Sequence, residues 1–226
     1  MVKTKKKAIN PRVVVPPSGQ PPSGNLASRD SKRLASALTE YYAEYAPLFA
    51  RREHQQWGQL YLRGQLSALE RKSIEPRALR ERGKDVNAVR AVQQFIGEGR
   101  WDDDLILQKL QQLVAQDLGE PHGTVILDGS GFPKKGEHSV GVQRQYCGAL
   151  GKIANCQQGV FLAYASTQGH SFLDRRLYLP KSWFAGSPAR LRKKCGVPEK
   201  LVFKTEPELG LEMLTKVRER DRSNIF

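Results

Sequence analysis

No apolar run in these 226 residues approaches the ~20 needed to cross a bilayer as a helix, so no membrane segment is expected. The first residues are basic but carry no apolar core behind them, which argues against a secretory signal. Cysteine is scarce: Cys147, Cys156 and Cys195 form no C-x-x-C pair. An odd count without a framework fits reduced thiols and a cytoplasmic location. Zinc is disfavoured too, because His138, Cys147, Cys156 and His170 fall at neither finger-like nor ribbon-like spacings. Acids are also in short supply, 23 Asp and Glu against 37 Lys and Arg, for a net charge of +14. The shortage is local. Residues 1–33 carry 8 cations and 1 acid, residues 34–119 balance at 12 each, and residues 120–226 carry 17 against 10. Two basic zones on one chain suit a polyanion partner, most simply nucleic acid, although a solvated basic surface has the same composition.

The first basic zone is the run "KTKKK" followed by "NPRVVVPPSGQPPSG", which together with the rest of residues 1–30 holds five of the thirteen prolines. Such a segment cannot bury enough surface to offset its ordering entropy, so residues 1–33 are expected to form an extended or disordered arm. From 34 to 119 the apolar spacing is helical. "LASALTEYYAEYAPLF" places Leu34, Leu38, Tyr41 or Tyr42, Tyr45 and Phe49 near one stripe, and Pro47 ends or kinks it. Trp57, Leu60 or Tyr61, and Leu69 repeat the pattern, as do Val86, Val89, Val92 and Ile96 after Asp85, a candidate N-cap. "WDDDLILQKLQQLVAQDLGEP" opens on Asp102, Asp103 and Asp104, where a helix dipole favours negative charge, and stops at Gly119 and Pro121. Three adjacent carboxylates also suit a metal, but their place at a helix start accounts for them.

At Thr124 the pattern changes to strands. "TVILDGSG" reads as a short buried strand ending in a turn, and "GVFLAYAST" (159–167) as an interior strand covered on both faces. "SFLDRRLYLP" (171–180) alternates, with Leu173, Arg175, Leu177 and Leu179 on one face and Phe172, Asp174, Arg176 and Tyr178 on the other. The gap "QGH" joins these two as a hairpin. A basic connector, "ARLRKKCGVPEK", leads to a strand-like "LVFKT" and a helix that starts on a capping box, Thr205 and Glu208.

The glycines around Asp128 fit neither phosphate loop nor dinucleotide fingerprint. Gly131 and Gly136 have P-loop spacing, but Glu137 and His138 follow in place of Lys and Ser/Thr. Gly129 and Gly131 are followed by Lys134 where a third glycine would stand. Nor is "DGSGF" the G-x-S-x-G of a serine hydrolase. By local chemistry Asp128 reads either as a turn residue capping a strand end or as an oxygen ligand for a hard divalent cation. Phosphoryl transfer at two ions needs more than one carboxylate, so the turn reading requires less.

The stretch "ILDGSGFPKKGEHSVGVQRQYCGALGKIANCQQGVFLAYAS", with "LDRRLYLPKSW" and "KTEPELGLEML" after it, resembles bacterial insertion-sequence transposases of the DDE endonuclease superfamily. "WGQLYLRGQLSALERKSIEP" and "AVQQFIGEGRWDDDLILQKL" are similar to the helical region that precedes the catalytic domain in that family. The resemblance spans roughly residues 40–220. It implies a ribonuclease-H-like domain that cuts and joins DNA with a D-D-E carboxylate triad and Mg2+, and it makes Asp128 the first catalytic, metal-binding carboxylate. It also implies DNA partners, namely element ends and a target site. Lys134, Lys135 and Arg144 are then candidate phosphate contacts near the metal, or else an ordinary basic surface. The expected fold class is α+β, with a helical domain over 34–119, itself a candidate DNA contact, followed over 120–226 by a partial ribonuclease-H-like domain of three strands and its first helix.

The family's second aspartate and final glutamate follow that helix, and no matching residues follow it in this sequence. Asp174, beside Arg175 and Arg176, reads as an ion-pair residue and Asp221 as part of a solvated charged face, so neither is assigned to the triad. The expectation is therefore the N-terminal part of a truncated transposase, one that binds DNA without cutting it. The alternatives are a non-enzymatic regulator that occupies DNA or pairs with itself or a full-length transposase, and a decayed gene fragment.

Overall fold

The computed structural model describes residues 28–185 and 187–221, so most of the expected arm lies outside the described residues. The described residues fall into two compact units, divided between Tyr42 and Ala43. In the first, α1 (Ser28–Ala43) leaves Leu34 and Tyr41 exposed. All that follows concerns the second unit.

That unit opens on a single 3-10 turn at Ala46–Leu48, with Pro47 inside it. Three helices come next: α2 (Arg52–Gln65), α3 (Ile74–Arg82) and α4 (Val86–Gly97). They close around Leu60, Ala78, Val89 and Val92, with Trp57, Ile74 and Leu79 packed beside them. Asp85 caps α4 as expected, its carboxylate accepting from the backbone N–H of Asn87 and Ala88. α2 stops at Gln65 rather than running on to Leu69. The short α3 leaves little trace in the sequence because it buries only Arg77 and Ala78, too few positions to reveal a helical period.

α5 (Asp103–Leu118) starts on Asp102, whose carboxylate accepts from Asp104 and Leu105 N–H. It packs on a four-stranded antiparallel sheet formed by β1 (Thr124–Pro133), β2 (Gln143–Cys147), β3 (Lys152–Ser166) and β4 (Gly169–Tyr178). β3 is the central strand. β1 pairs along one of its edges, while β2 and β4 share the other at successive positions. After β4 come a 3-10 turn at Lys181–Phe184, α6 (Ser187–Lys194) and α7 (Glu206–Arg220). Thr205 and Glu208 form the expected capping box on α7. The fold is α+β, a helical region followed by strands, consistent with a ribonuclease-H-like domain.

α5 and α7 seal one face of the sheet. Val114, Val160, Leu162, Tyr164, Leu173, Met213 and Val217 form its core, each such burial contributing roughly 1.5–3 kcal/mol. α7 lies so close to β1 that a Cβ on Gly210 would stand 2.2 Å from Leu127 Cδ2. The other face is open. Ile126, Phe132, Tyr146, Ile153 and Phe172 are each 45–64 % exposed.

Several strand expectations need correction. β3 is central, as anticipated, but helices cover only one of its faces. "LVFKT" is irregular rather than a strand, and β2, which the apolar pattern does not mark, pairs with the first residues of β3. The alternation in β4 breaks at a bulge. Leu162 faces Asp174 and Ala163 faces Phe172, so Leu173 is the extra residue and is buried beside Asp174. A bulge leaves a residue outside the ladder. Here Gln111 of α5 donates from Nε2 to Leu173 O at 2.9 Å in the buried core.

Candidate active site

Asp128 does not end a strand. β1 runs through "DGSG" to Pro133, which puts Asp128 in mid-strand opposite Phe161 of β3. The glycines that suggested a turn are instead accommodated by close neighbours on the covered face. A Cβ on Gly129 would stand 2.8 Å from Gln158 Nε2 and 2.9 Å from Glu206 Oε2, and one on Gly131 would stand 2.9 Å from Cys147 Sγ. A side chain at Gly131 would press on the Cys147 sulfur and backbone, and one at Gly129 would displace the ends of Gln158 and Glu206, so the glycines serve the close approach of distant segments.

Residues alternate across a strand, so Asp128 emerges on the open face, in line with Ile126 and Ser130. Around it lies a row of aromatic rings, with Phe161 5.4 Å from Phe172 and 6.1 Å from Phe132. Asp128 is exposed, and its carboxylate accepts one hydrogen bond, from Gly129 N–H at 2.8 Å. Aspartate is disfavoured in strands. A carboxylate at the centre of an exposed apolar face thus contributes nothing evident to folding.

The other acids near this strand point elsewhere. Glu206 approaches Gly129 from the covered side, where its charge adds to a larger effect of burial in raising the pKa of the Tyr178 hydroxyl. Asp174 faces the core opposite Leu162 and accepts from Arg176 Nη1 at 2.6 Å and from Arg175 N–H at 2.7 Å, the ion pair expected of it. The acidic start of α5 is occupied as well, Asp103 by Arg175 and Asp104 by Lys216 and Arg220. Hydrogen bonding to Arg220, with help from Lys216 against some burial, lowers the Asp104 pKa to about 2. Asp221 caps the end of α7. Among the described residues no group of three or more His, Cys, Asp or Glu side chains is gathered to hold a metal ion.

The candidate cations gather at one end of the open face. Asn155 pairs with Arg144 across β2 and β3, and its side-chain amide donates to the carbonyls of Lys134 and Gly136, both at 2.9 Å. Lys134 N–H returns a bond to Asn155 O at 2.9 Å. Asn155 therefore holds the loop bearing Lys134 and Lys135 beside Arg144. This cluster is not adjacent to Asp128: six residue steps along extended chain lead from 128 to 134, which at ~3.3 Å per residue is about 20 Å. No local sequence signal marked Asn155, Glu206 or the three-ring row, since each acquires its role from partners distant in sequence.

The sequence pattern of the DDE superfamily endonucleases matches residues 44–225. The chain belongs to that family. No curated protein and no solved structure matches it. The match takes in both α2–α4 and the sheet, so the helical segment belongs to this DDE superfamily endonuclease as much as Asp128 does. DNA is the substrate class the family implies, and a divalent metal is its usual cofactor. Among the described residues, no helix of this endonuclease is long and apolar enough to cross a membrane.

Proposed function

We propose that this chain acts on DNA as a transposase of insertion-sequence type, with Asp128 as the carboxylate it brings to the phosphoryl-transfer site. One observation carries the reading: Asp128 stands exposed, without a cationic partner among the described residues, at the centre of an apolar sheet face in a family of endonucleases. Phosphoryl transfer between two cations about 3.5–4 Å apart draws on several carboxylates. The described residues present one there, because Asp174 and Glu206 face the opposite side. The donor set does not fit a magnesium pair, and no cleavage step is assigned to this chain. Its own activity is DNA binding, with Lys134, Lys135 and Arg144 as phosphate contacts, in the cytoplasm where chromosomal DNA lies. A complete centre would take its further carboxylates from residues not placed beside Asp128 here.

The test is a duplex-binding and nicking assay on the purified chain with and without Mg2+. Expected are weak binding, with Kd on the order of 10⁻⁴–10⁻⁶ M at physiological salt, and no nicks. Mg2+-dependent nicking that disappears in Asp128→Ala would overturn the statement that the chain does not cut. Absence of any binding at low salt would overturn the DNA-binding reading itself. A regulator that occupies DNA without chemistry is the second reading, favoured by the same lone carboxylate; it additionally requires that Asp128→Ala leave binding unchanged.

A further inference from the structure

α6 divides its charges between two directions. Arg192 turns inward, lying 4.4 Å over the Phe184 ring and donating to Pro198 O and Leu201 O at 3.2 and 3.0 Å. Arg190, Lys193 and Lys194 are exposed. Their i, i+3, i+4 spacing puts them on one helical face. None lies within ion-pair distance of an acid among the described residues. Three like charges on one face of an eight-residue helix repel one another, and the helix C-terminal dipole offsets this only in part for Lys193 and Lys194 in the last turn.

This face does not stand alone. Cys195, just past α6, places Sγ 3.5 Å from His138 O in the loop that follows β1. Trp183 is buried and donates from Nε1 to Val142 O at 3.0 Å, and Ser182 Oγ lies 2.7 Å from Gln143 Oε1. Together these bonds fix the segment carrying α6 against the loop and strand that carry Lys134, Lys135 and Arg144. Lys181, also exposed, sits at the junction. Glu137 and Glu199 are the acids of these segments, and neither is paired with any of these cations.

We infer that the outward face of α6 and the 134–140 loop form one continuous platform for the backbone of double-stranded DNA, reading charge rather than sequence. The inference rests on the DNA-binding reading above and extends it to three residues in a segment with no sequence signal beyond its basicity. The Lys134 end of the platform lies about 20 Å along the chain from Asp128, which at 3.4 Å per base pair corresponds to roughly six base pairs when the duplex runs along the strand. It would grip DNA away from the carboxylate and leave the apolar face free around Asp128.

Salt titration of binding to a random-sequence duplex tests this on the full chain. Each phosphate that is no longer neutralised lowers the slope of log K against log salt by ~0.9, so Arg190→Ser/Lys193→Ser/Lys194→Ser is expected to reduce it by about 2–3. The control is Lys152→Ser/Lys200→Ser/Arg218→Ser, which removes the same charge from exposed positions outside both the platform and the helical segment. Its slope should stay within ~0.9 of wild type. Equal reductions in the two variants would show that net charge alone governs binding, and would overturn the platform. An unchanged slope in the α6 variant would overturn it as well, while leaving the DNA-binding reading intact. A wild-type chain with no affinity for duplex would remove both. Circular dichroism melts of the two variants should coincide with wild type, because all six side chains are exposed.

Discussion

Asp128 and Asp174 make opposite demands on the fold, and replacing each by alanine separates them. Asp174 is 1 % exposed, and its Oδ1 holds Arg176 Nη1 at 2.6 Å and Arg175 N–H at 2.7 Å. Removing one partner of a buried pair costs roughly 3–5 kcal/mol. The Arg176 side chain keeps 29 % of its exposure and regains some hydration, which favours the low end, about 3 kcal/mol. For a folding unit of this size, 1 kcal/mol moves Tm by roughly 2–4 °C, so Asp174→Ala should melt about 6–12 °C lower. Asp128→Ala removes an exposed carboxylate with one local hydrogen bond, and such changes stay within about 0.5 kcal/mol. Alanine is no worse than aspartate in a strand, so Tm should hold or rise slightly. Paired thermal melts at pH 7 and fixed salt decide the matter. A Tm for Asp174→Ala within about 2 °C of wild type would refute the buried-pair argument. A large drop in Asp128→Ala would refute the claim that this residue is spared for function.

Gln111→Met removes the side-chain donor that serves Leu173 O at the bulge. It should cost about 1–3 kcal/mol in urea unfolding, the penalty of a buried carbonyl left without a partner. Asp104 titrates near pH 2 in the folded chain, below its ordinary value of 3.8, because Arg220 and then Lys216 hold it ionised. Its contribution is therefore present above about pH 4 and lost as pH falls through 2. With the side chain 45 % exposed, solvent screening limits it to about 1 kcal/mol. Acid titrations of wild type and Asp104→Asn should converge below pH 2 and separate above pH 4, and parallel curves would contradict the assignment.

What could be read from sequence was local in origin. Asp85, Asp102 and the Thr205–Glu208 box cap their helices because a cap needs only its own first turn. Asp174 could be recognised as an ion-pair residue because its arginines adjoin it in sequence. The glycines beside Asp128 misled, since Gly-Ser-Gly is a turn signal when only neighbours are considered. Their purpose depends on Glu206, Gln158 and Cys147, which arrive from three other segments. The β4 alternation failed for a related reason, because whether a strand carries an extra residue depends on what waits to receive it, here Gln111. Periodicity located the apolar residues of β1, but could not say that helices would cover only one side of the sheet.

The approach of Cys195 to His138 has a practical consequence. Cys147 and Cys156 are fully buried, and the Cys156 thiol is pushed up by that burial and by Cys147 beside it. Thiol reactivity follows thiolate character and access. Cys195, partly exposed where α6 ends, is thus the single address a thiol-directed dye finds on the native chain. The unmodified sequence carries its own spectroscopic reporter at the seam between the basic helix and the basic loop, where an arriving polyanion would change the dye's surroundings first.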